Sequence, residues 1–541
     1  MFLRLWNFIA IVKLINSFVS LNKHLSQSKF LNFSFLHISF FSACVFHFFL
    51  LNKDVELKKG KVMRSFKKLT AVFLTLTLFL VFNSTQIYSA NEITDKQITN
   101  AVNNELMVNS TTRSYLIDIE TNEGVVTLSG EVGNLLTRDR AVKIARTVKG
   151  VRAVVNNVKV ETPDRPDSRL KRDVEEALLN DPATDSYEVS VTAANGYVTL
   201  SGTVDSWQEK QLSGYVAKGI KGVKNVVNNI DIEYPEERSD YEIREDIEKN
   251  LEFDIRVDNG LIDVEVEDGV VFLSGTVGSA NEHYLAITNS WVMGVESVEA
   301  KKLSVEGWAR DENMRKNKYV SKSDQEIKEA VKDALLYDPR VYSFKPAVTV
   351  NNGTVTLTGK VDNLKAKRAA EEDAKNVVGV FEVHNHLHVR PAFVPKDSQL
   401  EADVEEAISK DPIVEKWEID VKANNGIVYL NGAVDSYWEK LQAKDVASKT
   451  KGVIAVENNL GVMDDNDYYN YNYYGWNTLY PPVQVDVDDS YKTDQEIISS
   501  IKNQLWWSPY IDRENVSVEV TNGTAILEGT VDTRREKMYA E

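Results

Sequence analysis

A cadence of glycines constrains this chain more than any other feature. A turn glycine is followed six residues later by a second, and the pair occurs six times: Gly124/Gly130, Gly196/Gly202, Gly269/Gly275, Gly353/Gly359, Gly426/Gly432 and Gly523/Gly529. In five copies a third glycine follows the second by 20, 20, 19, 20 and 20 residues, at Gly150, Gly222, Gly294, Gly379 and Gly452. One large core imposes no such rhythm, whereas a small folding unit copied along the chain does. A unit of about 65–70 residues buries a small core and is marginal alone, so packing between neighbours is expected to matter.

The second unit, Ser168 to Tyr234, shows the pattern clearly. Ser168 is placed to cap a helix with apolar positions Leu170, Val174, Ala177 and Leu178. Elsewhere Ser239/Glu242, Ser323/Glu326, Ser398/Glu401 and Thr493/Glu496 fit the capping box. Asp-Pro often closes this helix (Asp181-Pro182, Asp338-Pro339, Asp411-Pro412), because proline cannot continue it. Alternation from Glu188 predicts a strand, Asn195-Gly196 a type I′ turn, and Tyr197 onward the return strand. Gly202 then marks a bulge or a close backbone approach. Asp205-Ser206 caps a second helix carrying Leu212, Val216 and Ile220, Gly222 ends it, and a third strand runs from Val223 to Ile232.

The order is helix, strand, strand, helix, strand. A right-handed crossover makes the last two strands parallel, and the hairpin is antiparallel. The predicted fold class is α+β: a tandem array of small αββαβ modules, each a three-stranded mixed sheet with two helices on one face.

With those residues in view, the second unit resembles a BON domain, named for bacterial osmotically induced and nodulation proteins. The words that carry the likeness are Asn195-Gly-Tyr-Val-Thr-Leu-Ser-Gly-Thr-Val-Asp, Gly222-Val and Val226-Val-Asn-Asn. The expected modules are 93–161, 167–234, 239–306, 322–390 and 397–463, with an incomplete sixth at 492–541. The sixth stops before its third strand, which is the expectation for a fragment or truncated product. The Asn pair seen at Asn156-Asn157, Asn228-Asn229 and Asn458-Asn459 becomes Ala300-Lys301 in the third unit and Asn385-His386 in the fourth. The resemblance implies a periplasmic or envelope protein without enzymatic activity. It also implies an association with phospholipid binding, outer-membrane integrity and osmotic stress, and one such protein acts as a periplasmic chaperone. It transfers no lipid-contact residue, because the shared words encode folding.

Charge narrows the partners. The net charge is −18, and residues 91–541 carry 52 basic against 79 acidic residues. Binding a phosphate backbone needs a basic face, so nucleic acid is not expected. The single cysteine, Cys44, precedes the repeats, which leaves them without a disulfide or thiol nucleophile. Residues 63–90 read as a signal peptide: a basic start, an apolar run from Leu69 to Phe82 and the exit Ser89-Ala90, with Tyr88 a poor −3 residue. An uncleaved anchor is the alternative. Residues 1–62 are read as an over-extended start or apolar leader, with a membrane segment near Phe30–Leu51 as the alternative. Phe41-Ser-Ala-Cys44 resembles a lipoprotein box only loosely, since apolar residues continue past it.

Each candidate site competes with a structural reading. The residue before the second glycine is Ser129, Ser201, Ser274, Thr358, Asn431 or Glu528, a variation that no catalytic serine tolerates. His384, His386 and His388 alternate on a predicted strand and so share one face, the one metal candidate, with a solvated strand as the stronger reading. Asp464 to Asp467 lacks the glycine and distal glutamate of a calcium loop. Glu175-Glu176 and Glu405-Glu406 are helix neighbours that do not face each other. Linkers are expected at 307–321, with Trp308, and at 464–491, rich in tyrosine.

The expected protein is therefore an exported, non-enzymatic array that needs no cofactor. It presents many weak sites to phospholipid or a membrane surface, so that avidity supplies what one unit lacks. The rival readings are a periplasmic chaperone for unfolded exported proteins and a structural spacer or matrix protein.

Overall fold

The computed structural model describes residues 93–531, except 109–115, 182, 185–187, 311–321, 415–418, 463–492, 509–515 and 522, with a few residues beyond 531. The expected leader (1–62) and signal peptide (63–90), the tyrosine-rich linker and most of the shorter linker lie outside the described residues. Residues 307–310 form a short 3₁₀ turn.

Five modules repeat one architecture. In module 2 a helix (Asp167–Asn180) leads to a hairpin (Glu188–Ala194 and Tyr197–Val204), a second helix (Trp207–Lys218) and a third strand (Asn225–Ile232). The return strand of each hairpin is central, antiparallel to the first strand and parallel to the third. Both helices cover one face, and each module encloses its own apolar cluster. In module 2 that cluster centres on Leu170, Val174, Val198, Leu200 and Ile230, all essentially inaccessible. Module 6 contributes a helix (Asp494–Trp507) and a two-stranded sheet.

The hairpin turns use positive φ at both central residues, 54° at Asn195 and 82° at Gly196, as a type I′ turn requires. The second glycine marks a close approach. A Cβ on Gly202 would sit 2.1 Å from the Glu188 carbonyl oxygen, while the hairpin register runs on unbroken. The second helices start as expected, with Ser206 accepting from the Glu209 amide.

Three expectations need correction. Ser168 is not a cap: the helix already starts at Asp167, whose carboxylate reaches across to the Asn195 and Gly196 amides at 2.8 and 2.9 Å. Ser398/Glu401 forms no capping box for the same reason, since Asp397 opens that helix and Glu401 accepts from the Ala423 amide instead. The capping boxes at Ser239, Ser323 and Thr493 are present. Finally, Gly222 lies beyond the second helix, which is capped at Gly219; it sits beside Leu170 in the turn into the third strand.

The aspartate at the first helical position recurs in all six modules. Asp95, Asp240, Asp324, Asp397 and Asp494 likewise accept from hairpin-turn amides at 2.8 to 3.0 Å. A second lock joins the third strand to the second helix. Asn228, Asn385 and Asn458 each donate to a carbonyl of the preceding helix, at Lys210, Lys367 and Lys440.

The modules are not beads. The amide just before the third glycine of one module donates to the last carbonyl of the first helix in another. Lys149 donates to Trp507, Lys221 to Lys410, and Val378 to Phe253, at 2.8 to 3.0 Å. These contacts join modules 1 and 6, 2 and 5, and 4 and 3, a nested order. Side chains cross with them: Leu135 of module 1 belongs to the core of module 2, and Trp507 packs on the core of module 1.

The hairpin glycines predict a graded response to alanine. Gly202→Ala forces a Cβ against a backbone carbonyl and should cost about 2–4 kcal/mol. At Gly359 the nearest atom is 3.8 Å away, which leaves only the cost of φ 132°. Urea unfolding should rank Gly202→Ala below Gly359→Ala, and equal midpoints would refute the steric account.

Candidate functional site

His384, His386 and His388 lie on the third strand of module 4, exposed and on one face. Glu382 Oε1 is 3.3 Å from His384 Nε2, and the His384 and His386 rings are 6.1 Å apart. Among the described residues no group of three or more His, Cys, Asp or Glu side chains is placed to hold a metal ion. Adjacency on one strand face therefore does not gather the trio into one ligand set.

A groove of about 1050 Å³ runs between modules 1 and 3. The Ala280 amide donates to the Val151 carbonyl at 3.2 Å and fixes the two modules together. Module 1 supplies Arg146 and Arg152; module 3 supplies His283, Tyr284 and Lys301. The Arg146 guanidinium lies 4.4 Å from the Tyr284 ring centre, a cation–π contact. Arg152 donates to the Val305 carbonyl and to Glu306 Oε1, both at 3.2 Å. Lys301 projects into water, with Glu299 at 3.0 Å. Burial holds the His283 imidazole below its usual range, with Arg146 adding to the effect. Glu123 and Glu299 are the carboxylates of the lining, which leaves it one positive charge in excess, and Glu306 beside it takes Arg152.

The groove also explains the odd third unit. Where other modules place the asparagine lock, the third strand of module 3 (Ser297–Val305) carries a register shift opposite Phe272 and Ser274. Module 3 exchanges the lock for Ala300-Lys301, and both residues line the groove. The departure is legible in the sequence, but the surface beside it belongs to another module.

A second cavity, of about 650 Å³, lies where modules 2 to 5 meet. The aspartates that end the first helices cluster around this junction. Asp181, Asp254, Asp338 and Asp411 each accept backbone amides two or three residues ahead, at 2.8 to 3.1 Å. Asp181 also receives the Lys365 ammonium of module 4 at 2.6 and 2.8 Å, an ion pair almost closed to solvent. Burial pulls Lys365 down, against the attraction of Asp181. Lys449 of module 5 bonds Asp445; burial pulls its ammonium down, but Asp445 together with Tyr215 and Asp181 outweighs this and holds it above its usual range. Burial pushes Asp411 up, although the Gln442 amide donates to it at 2.7 Å. Tyr234 of module 2 donates to Val295 of module 3, and burial pushes its phenol up to about 12.

The comparisons agree with the repeat. A BON-domain profile matches residues 94–162, 166–234, 239–307, 323–391, 396–464 and 493–541, more than half of the chain. The chain belongs to the BON-domain family. It is 33% identical over 147 residues to osmotically-inducible protein Y of Escherichia coli, covering 26% of this chain and 73% of that protein. It is 40% identical over 106 residues to the outer membrane lipoprotein DolP of Haemophilus influenzae, covering 19% of this chain and 54% of that one. Among solved structures, CdsD, a structural protein of the Type III secretion system of Chlamydia trachomatis, aligns at 15% identity. It covers 40% of this chain and 97% of its own, with a TM-score of 0.11, too small to bear on the fold. Among the described residues no helix is long and apolar enough to cross a membrane.

The junction makes a prediction about acid. Burial raises Asp254, but Arg256 and the Asn289 amide, which bond it at 2.6 to 2.8 Å, outweigh this and hold the carboxyl at about 2. A depressed carboxyl stabilises the fold above its unfolded value near 4, and that stability is lost as pH falls toward 2. Asp254→Asn should therefore cost about 2 kcal/mol at pH 7 and almost nothing near pH 2. Urea midpoints measured across that window check it; a cost independent of pH contradicts the ion-pair account.

Proposed function

We propose that this BON-domain protein is exported, is not an enzyme, and binds anionic phospholipid at a membrane surface of the cell envelope, in envelope integrity or osmotic stress. The observation that carries the reading is the basic groove between modules 1 and 3. On a chain of charge −18, a groove lined by Arg146, Arg152 and Lys301, with Arg146 stacked on the Tyr284 ring, offers cationic groups to a phosphate headgroup. The names of the relatives, an osmotically inducible protein and an outer membrane lipoprotein, support the same compartment. The signal-like segment at 63–90 supports export.

The test is co-sedimentation of the mature chain with vesicles of phosphatidylglycerol or phosphatidylcholine. Pelleting is expected with phosphatidylglycerol, weakening as salt rises, because the attraction is electrostatic. The double change Arg146→Gln and Lys301→Gln, which leaves Arg152 and its bond to Glu306 in place, should weaken binding by about tenfold. Absence of pelleting with either lipid removes the membrane reading. Suppressed aggregation of an unfolded client would then favour the chaperone, and inertness in both assays the spacer.

A further inference from the structure

Module 3 lacks the asparagine lock but keeps the join, with its direction reversed. In modules 2, 4 and 5 an asparagine of the third strand donates to the carbonyl of the fourth residue of the second helix, Lys210, Lys367 or Lys440. In module 3 that fourth residue is His283, on the helix Ala280–Asn289. Its half-buried imidazole lies within hydrogen-bond reach of the Ala300 and Leu303 carbonyls of the third strand. Ala300 occupies the position of the asparagine. Phe272 pairs with Glu299 and Ser274 with Lys302, so Ala300 and Lys301 together stand opposite Leu273. The histidine therefore bridges both sides of a bulge whose residues form a wall of the basic groove.

This lock can titrate, which an asparagine cannot. A neutral imidazole has one N–H to donate, and an imidazolium has two. Burial opposes the charged ring most, the two carbonyls favour it, and Arg146 across the groove opposes it. The charged groups around it are those of the lining: Glu123, Arg146 and Arg152 from module 1, and Glu299 and Lys301 from the strand. Glu282, the preceding helix residue, is turned to the Gly278 and Asp258 amides. The lining carries one positive charge in excess while His283 is neutral, so a proton on the imidazole doubles that excess. An anion lying among these cations would offset the opposition of Arg146.

We propose that His283 is a proton-operated lock on the groove wall, and that the groove holds an anionic phospholipid headgroup more tightly with the imidazole protonated. Protonation supplies a second N–H to the two carbonyls, steadies the bulge that carries Lys301 and adds a charge beside Arg146. By linkage, a bound phosphate favours the proton as much as the proton favours the phosphate. The choice of ligand rests on the membrane reading; the lock rests on the join inside module 3.

The test has two arms. In the first, the mature chain is sedimented with phosphatidylglycerol vesicles at about pH 7.5 and about pH 5, either side of the ordinary histidine range. Acid should tighten binding, and His283→Gln should lose about fivefold of that gain, the worth of one cation at an anionic surface. The triple change of His384, His386 and His388 to Gln, on another module, should keep the gain that His283 provides. The second arm needs no lipid. With labelled histidine, the His283 ring signal, identified by its loss in His283→Gln, should titrate below the three exposed histidines in nuclear magnetic resonance. The amide signals of Lys301 and Ser304, whose peptide groups contain the two carbonyls, should move with the same midpoint. A His283 midpoint equal to that of the exposed three, or amide signals that stay still through it, overturns the lock whether or not vesicles pellet. A pH dependence of pelleting unchanged in His283→Gln overturns its control of the groove and leaves the membrane reading standing. Absence of pelleting at both pH values overturns the membrane reading and the ligand with it, while the amide signals decide the lock.

Discussion

Each module depends on one carboxylate placed across from one turn. A type I′ turn points its amides outward, where nothing in the hairpin accepts them. The aspartate opening the first helix supplies the acceptor and at the same time places negative charge at the helix N-terminus, where the backbone dipole favours it. The single contact fixes where the helix starts, how it crosses the sheet and which residues of its apolar stripe face the core. In module 2 it sets Leu170, Val174 and Leu178 over Val198 and Leu200. Repeated in all six modules, it keeps the small cores alike while their surfaces diverge.

Above the module, cohesion changes character. Apolar side chains such as Leu135 and Trp507 extend one core into the next. The junction of modules 2 to 5 is instead held by buried ions. A buried pair such as Asp181–Lys365 repays little net stability over a well-packed apolar pair, yet losing one partner strands a charge. Such a junction specifies which modules meet more than it strengthens their meeting. The groove between modules 1 and 3 arises the same way, since neither module alone presents both Arg146 and Lys301.

Much of this was legible in the sequence, because the features inside a module are local. Asn195-Gly196 names its turn, Ser206 names its helix start, and the count from Gly202 to Gly222 leaves room for one crossover helix. The helix-opening aspartates stand at a constant distance before each turn glycine, yet by local rules Ser168 and Ser398 make the better caps. Local propensity favoured the serine; a contact nearly thirty residues away decided otherwise. Asp181-Pro182 and Asp338-Pro339 mark helix ends, and the helices end there. That Lys365 of another module would neutralise Asp181 was beyond reach, since nothing local encodes which modules meet. For the same reason the sequence shows Ala300-Lys301 only as a departure from the Asn pair, without the groove wall it stands beside.

The nested docking has a consequence for biogenesis. A chain made from its N-terminus presents module 1 long before module 6 exists, so the Lys149–Trp507 contact closes last. Until then the flank of module 1 that Trp507 covers stays open to water. Modules 3 and 4, adjacent in sequence, can join first, and the outer pairs close around them in turn. Closure around modules 1 to 5 is thereby tied to arrival of the sixth module, which works as a latch on them.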